Sequence, residues 1–363
     1  MSDFDMTLPF FYHKRGYEKR VEMAVDYLKA TYDIIHESNQ TLMGALDETY
    51  IEALFETLQN LVTQQVQQID GEPSDDVVET LTKRYQSLDW SKVDAETFRK
   101  AFQMSFLQVD RYDQLPANYQ MTPEAIALLM GYFAVKVSQT STQSDTLSVF
   151  DPAFGTGNLW NIVQNELLKN GRRVEGFGYD NDELLLDIAD QSLQLMGLAP
   201  QLFHGDSLQN LYISPMDLIV SDLPVGYYPI QQNLNDFKTA FTDNEKSLPY
   251  THYLMIEQSL RYLKPGKWGL FLVPADLTND QHFVDLIKGI NHYGYFQAFL
   301  ELPENLFRHQ SGRKAILMVQ KAGNQAKQAE PVLVGEIPDL KAIEQMSQFI
   351  DSFDRWLTDI TKE

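Results

Sequence analysis

Val149-Phe150-Asp151-Pro152-Ala153-Phe154-Gly155-Thr156-Gly157-Asn158-Leu159 is the stretch that decides the fold of this 363-residue chain. An apolar run ends in an acid, turns through two glycines and enters a helical pattern. That order builds a ligand loop at the carboxyl end of the first strand of a parallel sheet. Glycine lets the backbone approach a ligand with no Cβ in the way. Gly155-x-Gly157 alone also fits an ordinary tight strand-to-helix turn, so the residues around it carry the decision.

Working outward, short apolar runs fall near 147–151, 174–180, 201–204, 217–222, 268–274, 296–302 and 315–320, with helical stretches at 159–169, 183–196, 253–263 and 283–290. Such alternation predicts a mostly parallel sheet covered by helices on both faces. Upstream, Thr122-Pro123-Glu124 reads as a helix start, with Thr122 as N-cap and Pro123 at the first helical position. Up to about Arg111 the pattern is helical. Tyr17, Val21, Ala24, Val25, Leu28, Tyr32 and Ile35 form one stripe, and Tyr50, Leu54, Leu58, Leu61 and Val62 a second. Phe98, Phe102 and Phe106 mark a third helix, and Asp70-Gly71-Glu72-Pro73-Ser74 is a turn. The tail holds a strand candidate at 331–335 and a helix carrying Phe349, Phe353 and Trp356. The expected organisation is an all-helical N-terminal domain (1–114), an α/β domain (115–330) and a C-terminal strand and helix (331–363) packing on that domain.

Charge narrows the partners. The chain has 29 basic and 51 acidic residues, a net charge of −22, and such a field repels polyanions unless a local basic patch overrides it. One candidate patch exists. From 305 to 329 there is no acid, while Arg308, Arg313, Lys314, Lys321 and Lys327 are basic. Arg308, Arg313 and Lys314 lie in a Gly-containing loop suited to phosphate contact. The alternative is a solvated loop whose cations balance an acidic neighbourhood. The absence of cysteine excludes disulfides, thiolate zinc sites and a cysteine nucleophile. The seven histidines show no metal-ligand spacing, and His252 and His292 read as structural, so no metal is expected. The acidic N-terminus lacks signal-peptide order, and the longest apolar run, 125–135, is too short to span a bilayer. A soluble cytoplasmic protein with no membrane partner is the expectation.

Two further acids surround the glycine loop. Asp180 closes the second strand in Gly176-Phe177-Gly178-Tyr179-Asp180, where an acid can accept both hydroxyls of a ribose. Asp206 follows the third strand in His204-Gly205-Asp206-Ser207 and is placed to accept from an adenine amino group. Helix N-capping is the alternative for both. Trp160 stands where a dinucleotide fingerprint has its third glycine, which argues against a dinucleotide and for a nucleoside cofactor without a pyrophosphate.

With these residues in view, Asp151-Pro152-Ala153-Phe154-Gly155-Thr156-Gly157-Asn158-Leu159 resembles the first motif of class I S-adenosylmethionine-dependent methyltransferases. More narrowly, it resembles that of the adenine-N6 DNA methyltransferases, including modification subunits of type I restriction systems. Met121-Thr122-Pro123-Glu124-Ala125-Ile126 is similar to the Thr-Pro element preceding that motif. Leu302-Pro303-Glu304-Asn305-Leu306-Phe307 and Ala315-Ile316-Leu317-Met318-Val319-Gln320-Lys321 resemble its last strands. The match covers roughly residues 115 to 322, and the chain as a whole resembles the YtxK-like family. The resemblance implies a Rossmann-like sheet of seven strands, the last antiparallel, and S-adenosylmethionine as cofactor. It assigns cofactor contacts to Thr122, Asp151, Ala153, Gly155, Thr156, Gly157, Asn158, Asp180, Asn181, Asp206, Ser207 and Asp222.

Amino-methylating members carry Asn/Asp-Pro-Pro-Tyr/Phe after the fourth strand. The acid or amide and a neighbouring carbonyl accept the protons of a poorly nucleophilic exocyclic amine, and the aromatic stacks on the extruded base. Here Asp217-Leu218-Ile219-Val220 runs into Ser221-Asp222-Leu223-Pro224-Val225-Gly226-Tyr227-Tyr228. Asp222 keeps the acceptor position, Leu223 replaces the first proline and Val225 replaces the aromatic. Stacking is worth about 1–3 kcal/mol per base, set against an unstacking cost of a few kcal/mol, so the second change weighs more. Tyr227 or Tyr228 either takes over that surface from a shifted position or packs against the sheet edge. The implied catalytic set is Asp222, Pro224, Tyr227 and Tyr228. The long polar stretch 231–248 is placed as a lid or clamp, although Asp236, Asp243 and Glu245 do not suit DNA. About forty residues follow the last strand of the motif, too few for a separate target-recognition domain. DNA or RNA is therefore expected to be read with help from another subunit or from the N-terminal helices, which also offer a surface for a protein partner. The expected function is amino-methylation of nucleic acid with a degenerate motif. The alternatives are a catalytically impaired S-adenosylmethionine-binding or interaction protein, and a methyltransferase for a protein or small molecule.

Overall fold

The computed structural model describes residues 14–114, 119, 121–141, 145–230, 234–240, 248–307 and 312–361, with side chains of the first helix from Asp26. The chain divides into two compact units, one within Met1–Pro116 and Asp187–Ala199 and one within Ala117–Leu186 and Pro200–Glu363.

The first unit contains the helices α1 (Lys14–Leu46), α2 (Tyr50–Thr63), α3 (Asp75–Gln86) and α4 (Ala95–Asp113). The apolar stripes face one another, burying Ile35, Leu42, Leu54, Leu58, Phe98, Phe102 and Phe106. Thr49 and Glu52 form a capping box at the start of α2. Asp113 reaches back from the end of α4 to accept the Tyr50 and Ile51 N–H groups at 2.9 and 2.8 Å. The unit also takes in Asp187–Ala199, a stretch that linear reading places wholly in the α/β domain.

The second unit is built on α5 (Glu124–Ser141), β1 (Thr146–Asp151), α6 (Asn158–Lys169), β2 (Arg173–Asp180), the start of α7 (Glu183–Leu195), β3 (Gln201–His204) and β4 (Met216–Asp222). It continues through α8 (Thr251–Tyr262), β5 (Leu263–Pro274), α9 (Phe283–Tyr293), β6 (Gly294–Glu301), β7 (Lys314–Lys321), β8 (Leu333–Glu336) and α10 (Ile343–Thr361). The sheet order is β3-β2-β1-β4-β5-β7-β6-β8. Only β7 is antiparallel to its neighbours, pairing Pro274 with Lys314 on β5 and Glu301 with Ala315 on β6. Strand order reverses between β1 and β4, the switch point where open α/β sheets bind ligands.

The sheet has eight strands rather than the expected seven. The tail candidate at 331–335 becomes β8, paired in parallel with β6 from Ala298↔Leu333 to Glu301↔Glu336. It satisfies a row of backbone groups that an uncovered β6 would leave at the sheet edge. Further along the tail, Phe353 of α10 packs edge-on to Phe133 of α5 at 4.8 Å. No described helix is long and apolar enough to cross a membrane.

Two glycines of β2 fix how α6 and its loop lie on the sheet. Trp160 is buried across Gly176, where a Cβ would stand 2.0 Å from Trp160 Cζ2, and Phe154 lies across Gly178 at 2.3 Å. Trp160 is thus a packing residue matched to a missing side chain on the next strand. On the opposite face, His252 of α8 is 4% exposed, stacked on Tyr250 at 5.4 Å and edge-on to Tyr253 at 4.9 Å. Burial pushes its imidazole down to about 4.

Gly176→Ala should force Trp160 out of place and destabilise the protein by about 1–3 kcal/mol, read as a lower urea midpoint at unchanged slope. His252 sets an acid limit. Its folded-state value lies below the unfolded one near 6.5, so the unfolded chain takes up the proton first and stability falls as pH drops from about 6.5 towards 4, by up to about 3 kcal/mol. Urea unfolding at neutral and mildly acidic pH should show this loss in the wild type and its absence in His252→Phe.

Candidate cofactor and acceptor site

The site begins where β1 ends. The Asp151 carboxylate is buried and accepts the Ser221 hydroxyl of β4 at 2.6 Å and the Ala153 N–H at 3.0 Å. Burial, aided by the nearby charges of Asp180 and Asp222, pushes its carboxyl well above the usual range. The loop then needs left-handed backbone at Gly155 (φ 51°) and Gly157 (φ 73°). Phe154 N–H donates to the Tyr179 carbonyl at 2.9 Å, and Asn161 N–H to the Gly157 carbonyl at 2.9 Å, opening α6. Thr156 and Asn158 are buried, and the Asn158 amide donates to the Thr122 carbonyl at 2.8 Å.

Asp180, at the end of β2, accepts the Gly155 N–H at 2.6 Å on one oxygen and the Asp182 N–H at 3.0 Å on the other. Burial raises its carboxyl as well. It does not cap α7. Asp182 does, accepting the Leu185 N–H at 3.0 Å on its side chain and the Leu186 N–H on its carbonyl, and the Tyr119 hydroxyl also donates to Asp182. Sequence reading passed over both residues, although an acid immediately before a helical run is a legible N-cap signal. Asn181 is exposed, its carbonyl 3.3 Å from His204 Nε2. Asp206 accepts the Leu208 N–H at 2.9 Å with one oxygen, and the Tyr228 hydroxyl at 2.6 Å and the Gln209 amide at 3.2 Å with the other. Ser207 is buried, and its carbonyl accepts from Gln258 at 3.2 Å.

Asp222 ends β4. One oxygen accepts the Thr122 hydroxyl at 2.8 Å and the other pairs with the Lys314 ammonium. The cap position itself falls one residue later than the sequence suggests, at Pro123 and not Thr122. The first helical bond runs from Ala127 N–H to the Pro123 carbonyl, and the helix starts at Glu124. Downstream, Leu223 is buried and Pro224 half-buried, while Val225 is 49% exposed.

The two tyrosines then part. Tyr228 is 6% exposed, its hydroxyl held protonated by burial and by Asp206. Tyr227 is 63% exposed and stacks on Tyr250 at 5.2 Å, giving a column of three rings with His252 beneath. Backbone bonds from Tyr228 N–H to the Pro249 carbonyl and from Thr251 N–H to the Gly226 carbonyl hold this segment to the start of α8.

Of the three basic candidates, the two that the structure describes turn to different acids. Arg308 lies outside the described residues. Arg313 is held by three carboxylates, Glu304 at 2.9 Å, Glu301 at 3.3 Å and Glu336 at 3.6 Å, so a phosphate would have to displace an acidic neighbourhood. Lys314 faces Asp222. Taken as a donor set, the edge offers carboxylates and backbone groups that suit a cationic ligand bearing hydroxyl and amino hydrogens.

Comparison with known proteins gives the family and the fold. Residues 29–109 match the YtxK N-terminal helical domain, and residues 118–349 match the N-6 DNA methylases. The uncharacterised protein YtxK of Bacillus subtilis is 31% identical over 334 residues, spanning 92% of this chain and 98% of that protein. A crystal structure from Listeria monocytogenes, assigned to the class I S-adenosylmethionine-dependent methyltransferases, superposes with a TM-score of 0.83 at 31% identity. It covers 92% of this chain and 99% of that one. The methyltransferase subunit of a Streptococcus thermophilus type I restriction-modification system shares the fold, with a TM-score of 0.61 at 12% identity over 95% of this chain and 94% of its own. The chain is a YtxK-like member of the N-6 DNA methylase family, built on the class I S-adenosylmethionine-dependent methyltransferase fold.

Proposed function

We propose that this protein transfers a methyl group from S-adenosylmethionine to an exocyclic amine of the adenine type, in DNA or RNA, within the cytoplasm. The observation that carries the reading is the 2.8 Å hydrogen bond from Thr122 to Asp222. It joins the Thr-Pro element on the cofactor side to the acid at the acceptor position. When bound, the cofactor supplies an electrophilic methyl on a sulfonium. Asp180 and Asp206 would hold its ribose and adenine, and the loop from Ala153 to Asn158 would lie against it. Asp222 accepts an N–H of the acceptor amine, drawing the nitrogen lone pair towards the methyl carbon. Tyr227, exposed and backed by Tyr250, offers a stacking face two residues beyond Val225. A partner subunit or the helical unit would read the nucleic acid, since most of the charge on this chain repels it.

A second reading is favoured by one feature. Both Asp222 oxygens already have partners, Thr122 and Lys314, as expected of a cofactor-binding protein that has lost transfer. Radiolabelled methyl transfer to adenine-containing oligonucleotides, with the wild type and Asp222→Ala, separates the two. The amino-methylating reading expects a wild-type rate that Asp222→Ala lowers by about 100-fold or more. Transfer that survives in Asp222→Ala would sink the role of that acid, and a wild type that binds S-adenosylmethionine yet transfers nothing would leave the second reading. Tyr227→Ala should weaken acceptor binding by about 1–3 kcal/mol if its ring stacks on a base, measured as a rise in KM for the oligonucleotide with cofactor affinity unchanged.

A further inference from the structure

The ligand edge gathers Asp151, Asp180, Asp206 and Asp222. Among the described residues, the ion pair of Lys314 with Asp222 is the one that any of these four makes. Its neighbour Arg313 is held by Glu301, Glu304 and Glu336. The Lys314 side chain is 30% exposed and that of Asp222 19%, so the pair sits in the wall of the site, partly shielded from water, where charges act more strongly than on an open surface. Lys314 arrives there through topology. β7 alone runs antiparallel, and its first residue stands at the edge where the parallel strands end, opposite Pro274 of β5.

We propose that Lys314 distinguishes methyl donor from spent cofactor by charge. This rests on reading the edge as an S-adenosylmethionine site with the transferred methyl facing Asp222. On that reading the donor brings a cationic sulfur to the carboxylate that Lys314 already holds, whereas the demethylated product brings a neutral thioether. The Lys314 ammonium disfavours the first relative to the second. Conversely, its hold on the Asp222 oxygen weakens when another cation shares that carboxylate, and the oxygen becomes available to an acceptor N–H. Lys314 acts through Asp222 as a positioning residue and takes no part in the bond changes.

The test is calorimetric titration of the wild type, Lys314→Met and Lys314→Arg with three ligands. These are S-adenosylmethionine, S-adenosylhomocysteine, and an analogue carrying an ammonium in place of the methylated sulfur. Lys314→Met keeps an unbranched side chain one atom shorter and removes the charge. It should shift the ratio of donor to product affinity towards the donor by fivefold or more, about 1 kcal/mol, with the ammonium analogue moving alongside the donor. Lys314→Arg should keep the wild-type ratio. A ratio in Lys314→Met equal to that of the wild type, with all ligands still bound, overturns the inference and leaves the cofactor site standing. Failure of all three folded proteins to bind any ligand, with folding checked by circular dichroism, overturns the cofactor reading and this inference with it.

Discussion

A carboxylate taken out of water at the point where the strand order reverses is the constraint around which this site is organised. Asp151 is buried and finds neutral donors, the Ser221 hydroxyl of β4 and the Ala153 N–H of its own loop. A buried carboxylate with no cation beside it is costly as an anion, which is why its carboxyl is pushed upward. The same contacts tie β1 to β4 across the switch point and aim the loop that follows. Gly155 then offers its N–H to Asp180, so the second acid is oriented by the loop that the first one launches.

Accumulated acid is the price of that arrangement, and the fold answers it with a single reversed strand. Because β7 runs against its neighbours, its leading residues Arg313 and Lys314 come to the edge where β1, β2 and β4 end. Arg313 is taken up by glutamates on β6, on the turn after it and on β8, and Lys314 goes to Asp222. Arg313 and Lys314, which read as part of a phosphate patch in sequence, are thus divided between two acidic clusters. Of the two, Lys314 balances charge of the site itself.

The altered acceptor motif shows a similar redistribution. Leu223, in place of a proline, is buried and donates its N–H to the Leu272 carbonyl at 3.2 Å, anchoring the loop to β5. Val225 leaves a small apolar surface where an aromatic face is expected. Tyr227 supplies a ring nearby, supported by Tyr250 and His252, while Tyr228 turns inward to Asp206. Two adjacent tyrosines therefore have opposite environments, one a surface face and one a buried hydrogen-bond donor.

What the sequence determined by itself was local. Apolar periodicity marked α1, α2 and α4 of the first unit, though not α3, and the alternating strands and helices of the second. The acid-to-glycine turn after β1 was legible as well, because these patterns are set by backbone geometry within a few residues. The tail strand was legible as a strand, but its place beside β6 was not, since an edge is defined only once the sheet is assembled. Nor could sequence say that the Thr122 hydroxyl would donate to Asp222, 100 residues away, or that Lys314 would cross 92 residues to the same carboxylate. Those pairings belong to the strand order and to the direction of β7. Only the tertiary structure decides them, because desolvated charges seek partners through space, and the order of the chain does not reveal which partners the sheet will bring within reach.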